Sequence, residues 1–152
     1  MHRYLVVFSI ALVGLVGAQR PVHAQDAKEN ADAAAVVAAA QPIAEAWLAL
    51  FFDGRAEETW DQAGSHFQEF VVKEAWVQQA ASLLSALGKP TDRKFVEAEP
   101  MTDPVNFPPG EYVVLTYSAS FTDFPTAREQ IMLVREDGTW KVIGYSVHPV
   151  AG

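Results

Sequence analysis

The strongest constraint on this chain is the change in its hydrophobic period at Gly88-Lys89-Pro90. Before this point, apolar residues recur at steps of three and four, which is typical of amphipathic helices. After it, apolar and polar residues alternate, which is typical of strands with one buried face. Gly88 suits the end of a helix and Pro90 cannot continue one. We therefore expect helices first and a sheet second.

The first half predicts one long, one short and one medium helix. The long helix is expected over 33–52 with a bend at its internal proline, which removes a helical hydrogen bond. A short helix is expected to begin near Glu57, where negative charge favours a first turn, and the medium helix covers 73–87. Between them, the stretch 60–76 is expected to join the long helix to the medium one through Trp60, Phe67, Phe70, Val71 and Trp76.

The second half predicts four strands in an antiparallel meander. They cover Arg93–Glu99, Tyr112–Phe121, Arg128–Glu136 and Trp140–His148. The proline-rich segment 100–110 is expected to be a loop, and Asp137-Gly138 a two-residue hairpin turn with Leu133 opposite Val142 and Arg135 opposite Trp140. Helices that precede such a sheet pack on one face of it, so the fold class is two-layer α+β. If the sheet curves, it takes a cone-like form that can enclose a pocket.

The N-terminus reads as a secretory signal over 1–24, with cleavage between Ala24 and Gln25. Its uncharged run of 15 residues, Tyr4 to Ala18, is shorter than the roughly 20 that span a bilayer. A retained membrane anchor is the alternative, but no stable anchor is expected. We therefore predict a periplasmic or secreted protein with a flexible polar leader (25–33), one domain (34–148) and a short tail (149–152).

Composition narrows the classes of partner. The chain has no cysteine, so it can form no disulfide bond and cannot carry the lipid-modified cysteine that anchors a bacterial lipoprotein. It has 11 Lys+Arg against 19 Asp+Glu, and loss of Arg3 and Arg20 with the signal changes the net charge from −8 to −10. Such an acidic balance argues against nucleic acid and against an anionic membrane surface.

Several segments carry a resemblance to a known family: AEAWLALFFDG (44–54), TWDQAGSHFQ (59–68), PPGEYVVLTY (108–117) and EDGTWKVIGY (136–145). In this order they resemble the exported bacterial family catalogued as domain of unknown function 4019, over roughly Ala34 to Val147. That resemblance implies a compartment and a domain type and no catalytic residues. The order of elements is also similar to the cone-shaped nuclear-transport-factor-2 and ketosteroid-isomerase superfamily, a likeness that implies no function.

Catalytic and metal-binding patterns are weak. After cleavage only His66 and His148 remain as histidines, with neither a helical partner histidine nor a cysteine, so no metal or cofactor is expected. Glu129 is the best candidate for a carboxylate base inside the cone, although a solvated position at a strand end is the more ordinary expectation for it.

The aromatic residues are the remaining candidates for a site. Trp47, Tyr117, Phe121 and Tyr145 are predicted to line a pocket for a small apolar ligand, with the loop 100–110 at its rim. Core packing is the competing interpretation, because these residues fall on inward stripes.

We therefore expect an exported, non-enzymatic domain that binds a protein partner or a small apolar ligand. One alternative is a cone-fold enzyme with Glu129 or His66 as base. The other is a structural homodimer joined through a sheet face that carries Tyr112, Val114 and Thr116.

Overall fold

The computed structural model describes residues 22–150, in which four helices precede four strands. The helices are α1 (Val22–Phe52), α2 (Ala56–Asp61), α3 (Ser65–Phe70) and α4 (Lys73–Leu87). The strands are β1 (Pro90–Thr102), β2 (Glu111–Phe121), β3 (Ala127–Glu136) and β4 (Thr139–Pro149). The predicted α+β class is confirmed. The predicted signal peptide, apart from its last three residues, lies outside the described range.

The sheet is an open antiparallel meander with strand order β1-β2-β3-β4, as predicted. Arg135 stands opposite Trp140 and Leu133 opposite Val142, so the predicted register of the last hairpin is confirmed. Asp137 and Gly138 form its two-residue turn with φ of 49° and 77°, the left-handed values that such a turn requires. The Nη1 atom of Arg135 donates a 2.9 Å hydrogen bond to Glu111 Oε2 on the neighbouring strand β2.

One side of the sheet, called here the inner face, carries the core. Along β2 and β3 its residues alternate with outward-facing ones, as the period of two requires, whereas β1 and β4 carry register shifts. Helices α1, α2 and α4 supply the other half of the core. Its largest cluster includes Trp47, Leu48, Phe51, Trp76, Val113, Leu115, Tyr117, Ile131, Leu133, Trp140 and Val142.

Helix α1 is longer than predicted, because it begins at Val22 rather than near residue 33. The segment 25–33, predicted to be a flexible leader, is helical, and the alanine-rich composition of α1 favours that state. Its residues 23–32 are exposed, whereas Ala44, Leu48 and Phe51 are buried against the sheet. By length and composition alone α1 would also suit a membrane span, a test that core helices and signal sequences pass as well.

The predicted short helix is two helices, separated at Gly64. The Gly64 N–H donates a 2.8 Å hydrogen bond to the carbonyl oxygen of Val142, which docks the α2–α3 turn on the free edge of β4. A Cβ at position 64 would lie 2.6 Å from Ile143 Cγ2 and 3.2 Å from Val134 Cγ1. Glycine is therefore required here by close approach.

Strand β1 is longer than predicted, and the proline-rich loop is correspondingly shorter. Pro100 pairs with Val113 inside the sheet, so the loop runs from 103 to 110. This is compatible with proline because β1 is an edge strand, where a missing N–H costs no ladder hydrogen bond.

Gly64→Ala should lower the free energy of unfolding by about 1–3 kcal/mol, because the added methyl group overpacks the contact with β4. Gly144→Ala is the matched control, since its Cβ would meet its nearest atom, Met132 Cβ, at an ordinary 3.6 Å. Urea unfolding of both variants measures the difference. Equal midpoints would contradict the close-approach argument.

Candidate functional site

A carboxylate lies inside the core. Glu129 of β3 is 0% exposed, so the expectation of a solvated strand-end position is wrong. Arg93 Nε lies 2.5 Å from Glu129 Oε2 and Arg93 Nη2 lies 3.0 Å from Oε1. The hydroxyl of Tyr145 donates to the same Oε1 at 2.6 Å. These three residues form what we call the buried ionic network.

The sheet register brings the buried ionic network together. Glu129 faces Tyr117 of β2, and Arg93 of β1 stands opposite the small Ala119, where its side chain can cross β2 to reach β3. The guanidinium carbon also lies 5.2 Å from the ring centroid of Phe52, a cation–π contact. One cation, one anion and one phenol from three different strands therefore meet on the inner face.

Burial and charge act together on these groups. Burial lowers the pKa of Arg93, but the hydrogen bonds and charge of Glu129 outweigh it and hold this pKa above its ordinary value. Burial and the neighbouring Glu129 raise the pKa of Tyr145. Burial also raises the pKa of Tyr117 to about 12, and its hydroxyl has no hydrogen-bond partner among residues 22–150. Since both oxygens of Glu129 already accept hydrogen bonds, the arrangement suits structural charge pairing better than proton transfer.

The four predicted ligand-lining residues all lie on the inner side of the domain. The rings of Trp47 and Tyr145 are 5.8 Å apart, whereas Phe121 packs with Phe52 at 5.4 Å in a neighbouring cluster. The space bounded by Trp47, Trp76 and Tyr145 does not admit a water molecule. The aromatic side chains themselves fill the space between α1, α4 and the inner face. A ligand-lining role for the four residues stays a prediction.

Sequence reasoning did not identify Thr59 as the hydrogen-bond hub of the helices. The fully buried Thr59 accepts from the indole N–H of Trp47 through its carbonyl oxygen at 3.0 Å and from that of Trp76 through its hydroxyl at 2.9 Å. Trp60 donates separately to the carbonyl oxygen of Val71 at 2.7 Å. The predicted joining role of the stretch 60–76 is therefore carried by indole hydrogen bonds as well as by packing.

A cluster of aromatic residues lies on the outside. The ring of His66 lies 4.8 Å from that of Phe70 and 5.7 Å from that of Phe107. Phe70 is 75% exposed and Phe107 is 37% exposed, and Val72 and Val105, each two residues from one of them along the chain, are also exposed. The expectation that Phe70 joins the core is wrong, because α3 turns away from α1 at Gly64.

The sheet face predicted to form a homodimer is covered at the end that carries Tyr112. Tyr112 is only 2% exposed and Thr116 only 3% exposed, so two of the three residues named for that face are unavailable. Phe107 packs on Tyr112 at 5.6 Å, and the Tyr112 hydroxyl donates to the carbonyl oxygen of Pro108 at 2.8 Å. The loop 103–110 therefore covers this end of the sheet and does not form the rim of an inner pocket.

Comparison with known proteins identifies a family but no activity. The sequence model of the family described as "Protein of unknown function (DUF4019)" matches residues 43–145. The match runs from the middle of α1 to Tyr145 and so includes the buried ionic network and the outer aromatic residues of α3 and the loop. No curated protein matches the chain.

Arg93→Met should lower the free energy of unfolding by about 3–5 kcal/mol, because it leaves the Glu129 carboxylate buried without a cation. Glu129→Leu should cost less, since the Arg93 side chain is 24% exposed and can reach water. The double variant should be close to Glu129→Leu alone. Urea unfolding of all three variants forms a double-mutant cycle, and strictly additive losses would contradict the coupling.

Tyr117 should make the fold sensitive to alkali. The unfolded chain ionises this phenol near its ordinary pKa of 10.0, whereas the folded chain holds it neutral until about pH 12. The stability that Tyr117 contributes is therefore complete below pH 10 and is lost as pH rises toward 12, with the unfolding constant rising about tenfold per pH unit. Tyr117→Phe should flatten this loss at little cost at pH 7. Parallel stability–pH curves for the two proteins would refute the prediction.

Proposed function

We propose that this chain, which belongs to the family described as "Protein of unknown function (DUF4019)", is an exported, non-enzymatic domain that binds a protein partner through its outer aromatic residues. The aromatic surface, as we call it, consists of His66, Phe70, Val72, Val105 and Phe107. It combines the end of α3 with the loop between β1 and β2.

The observation that carries this proposal is the exposure of Phe70. A phenylalanine that is 75% exposed leaves most of its ring in water, although it packs edge-on against His66 at one side. Exposed aromatic and aliphatic residues that lie together mark interaction sites more often than scattered ones do. Aromatic residues are also enriched in the cores of protein–protein interfaces, where they contribute much of the binding energy.

The aromatic surface is held by fixed contacts. The loop is closed by the N–H of Asp103, which donates to the Gly110 carbonyl oxygen at 2.9 Å, and by the N–H of Gly110, which donates to Asp103 Oδ1 at 2.7 Å. Helix α3 is tied to the sheet by Ser65, whose N–H and hydroxyl donate to Glu136 Oε1 at 2.8 and 3.0 Å. A surface ordered before binding loses less conformational entropy when a partner docks.

The contacts of the candidate bases favour binding over catalysis. Both oxygens of Glu129 are engaged by Arg93 and Tyr145, and His66 lies on the outer surface against phenylalanine rings. A small apolar ligand placed between Trp47 and Tyr145 would have to displace these core side chains. A protein partner at the aromatic surface requires no such rearrangement.

Export is supported by the N-terminal pattern of a basic start, an apolar run and small residues before Gln25. Because the chain has no cysteine, an oxidising compartment forms no disulfide in it. Folding there relies on the packed core and the buried ionic network.

The proposal is tested by placing the photo-crosslinking residue p-benzoylphenylalanine at position 70 of the full chain, in the native host. We expect one discrete adduct of the chain with another protein, identified by mass spectrometry. Phe107→Ser in the same chain should weaken this adduct strongly, because it removes part of the surface. Gln79, exposed on α4, is the matched control position and should give no such adduct.

Two outcomes would overturn the proposal. One is a position-70 chain that forms no adduct, or the same adduct as a chain carrying the probe at position 79. The other is an adduct with the mass of two copies, which would replace the separate partner with a homodimer.

A further inference from the structure

The side of the sheet opposite the helices, the outer face, carries side chains in ordered rows. One row, in register across all four strands, consists of Lys94, Ser118, Arg128 and His148. A second row consists of Glu97, Thr116, Gln130 and Ser146, and a third of Glu99, Val114, Met132 and Gly144. Across these three rows the outer face changes from cationic to polar to apolar along β3 and β4, and the two carboxylates of the rows, Glu97 and Glu99, stand on the edge strand β1.

Two adjoining depressions follow this gradient. The first, of about 330 Å³, is lined by Val114, Gln130, Met132, Gly144, Tyr145 and Ser146. The second, of about 430 Å³, is lined by Arg128, Gln130, His148, Pro149 and Val150. The two depressions adjoin at Gln130, which borders both, and we call the pair the outer trough.

Gly144 deepens the outer trough without a structural need for glycine. Its φ lies outside the left-handed region that favours glycine, and a Cβ there would lie 3.6 Å from Met132 Cβ, an ordinary contact. A glycine within a strand weakens it and often marks a place where another molecule approaches closely. Here the missing side chain leaves a notch beside Val114 and Met132.

The other end of the outer trough is cationic in a chain that is strongly acidic overall. Arg128 and His148 stand opposite each other on β3 and β4, and both are exposed. Within residues 22–150, neither makes an ion pair, whereas Lys94 in the same row lies 3.8 Å from Asp92. An anion at Arg128 would therefore not have to displace a carboxylate of the protein.

The middle and apolar end of the outer trough favour a hydrocarbon over a peptide. Strand β3 is central, so its backbone groups are engaged with β2 and β4 and offer a ligand no ladder hydrogen bonds. Gln130 Nε2 already donates to Thr116 Oγ1 at 3.2 Å. A peptide laid over Val114 and Met132 would leave its own amides unpaired, whereas an aliphatic chain carries none.

We propose that the outer trough binds an unbranched aliphatic carboxylate. The carboxylate lies at Arg128 and His148, and the hydrocarbon runs along β3 and β4 into the notch at Gly144. Met132 lies four residue steps beyond Arg128 along β3, a span of about 13 Å that corresponds to a chain of about ten carbons. None of these residues belongs to the aromatic surface, so the site is independent of the proposed partner.

Isothermal titration of the exported, purified protein with sodium dodecanoate, below its micelle concentration, tests the site. We expect saturable binding of one dodecanoate per chain and at least tenfold weaker binding of dodecanol and of butyrate. Arg128→Gln should weaken dodecanoate binding at least tenfold through loss of the cation. Gly144→Val should weaken it similarly by filling the notch, and β-branched valine suits a strand.

Arg55→Gln is the matched control, because it removes the same charge from an exposed site on the other side of the domain and should leave the affinity unchanged. Near-ultraviolet circular dichroism of each variant verifies that the fold is retained. Absence of saturable dodecanoate binding would overturn the proposal, and so would equal affinity in Arg128→Gln, Gly144→Val and the unaltered protein. Binding of an acidic peptide without binding of dodecanoate would overturn it as well.

Discussion

The fold depends on the neutralisation of one charge. Glu129 is fully shielded from water, and a carboxylate in such a place destabilises the folded state unless a cation meets it there. Arg93 supplies this cation from the edge strand β1, two strands away from Glu129, and the Tyr145 hydroxyl donates a further hydrogen bond to the carboxylate. Because successive side chains of a strand point to opposite faces, a slip of β1 by one residue would turn Arg93 outward and leave the carboxylate unpaired. The ionic pair thus selects one register for an edge strand whose own apolar pattern is weak.

The helices have a corresponding polar centre in Thr59. Thr59 lies on the short helix α2 and accepts hydrogen bonds from the indole N–H groups of Trp47 on α1 and Trp76 on α4, so it links three helices. Burying these indoles on the inner face is favourable because each N–H has a partner. The space between these helices and the inner face is consequently occupied by the protein's own aromatic rings, and both proposed binding sites lie on the outside. The two outer sites differ in chemistry: one is aromatic and lies at α3, and the other joins a cationic end to an apolar notch.

Local patterns predicted the elements well where a single residue type decides the conformation. Gly88 and Pro90 separated helix from sheet, and Asp137-Gly138 set the last hairpin and its register. The contacts inside the site were less predictable from local patterns. Glu129 has the same parity as Ile131 and Leu133, so the alternation did carry a signal of burial, but its partner Arg93 is 36 residues away and no local rule connects them. Phe70 was misplaced because the break at Gly64 depends on contact with β4, which is again a distant segment.

The second half of α1 is packed against the sheet, and its exposed first turns have a mechanical consequence. Residues 23–32 extend as helix beyond the core, a length of about 15 Å at the usual rise per residue. A helix is stiff along its length and fixes the direction of its N-terminal end relative to the domain, whereas a flexible tether does not. Cleavage after Ala24 would leave residues 25–32 as this helical extension, and the new N-terminus would then stand in a fixed direction relative to the aromatic surface and the outer trough.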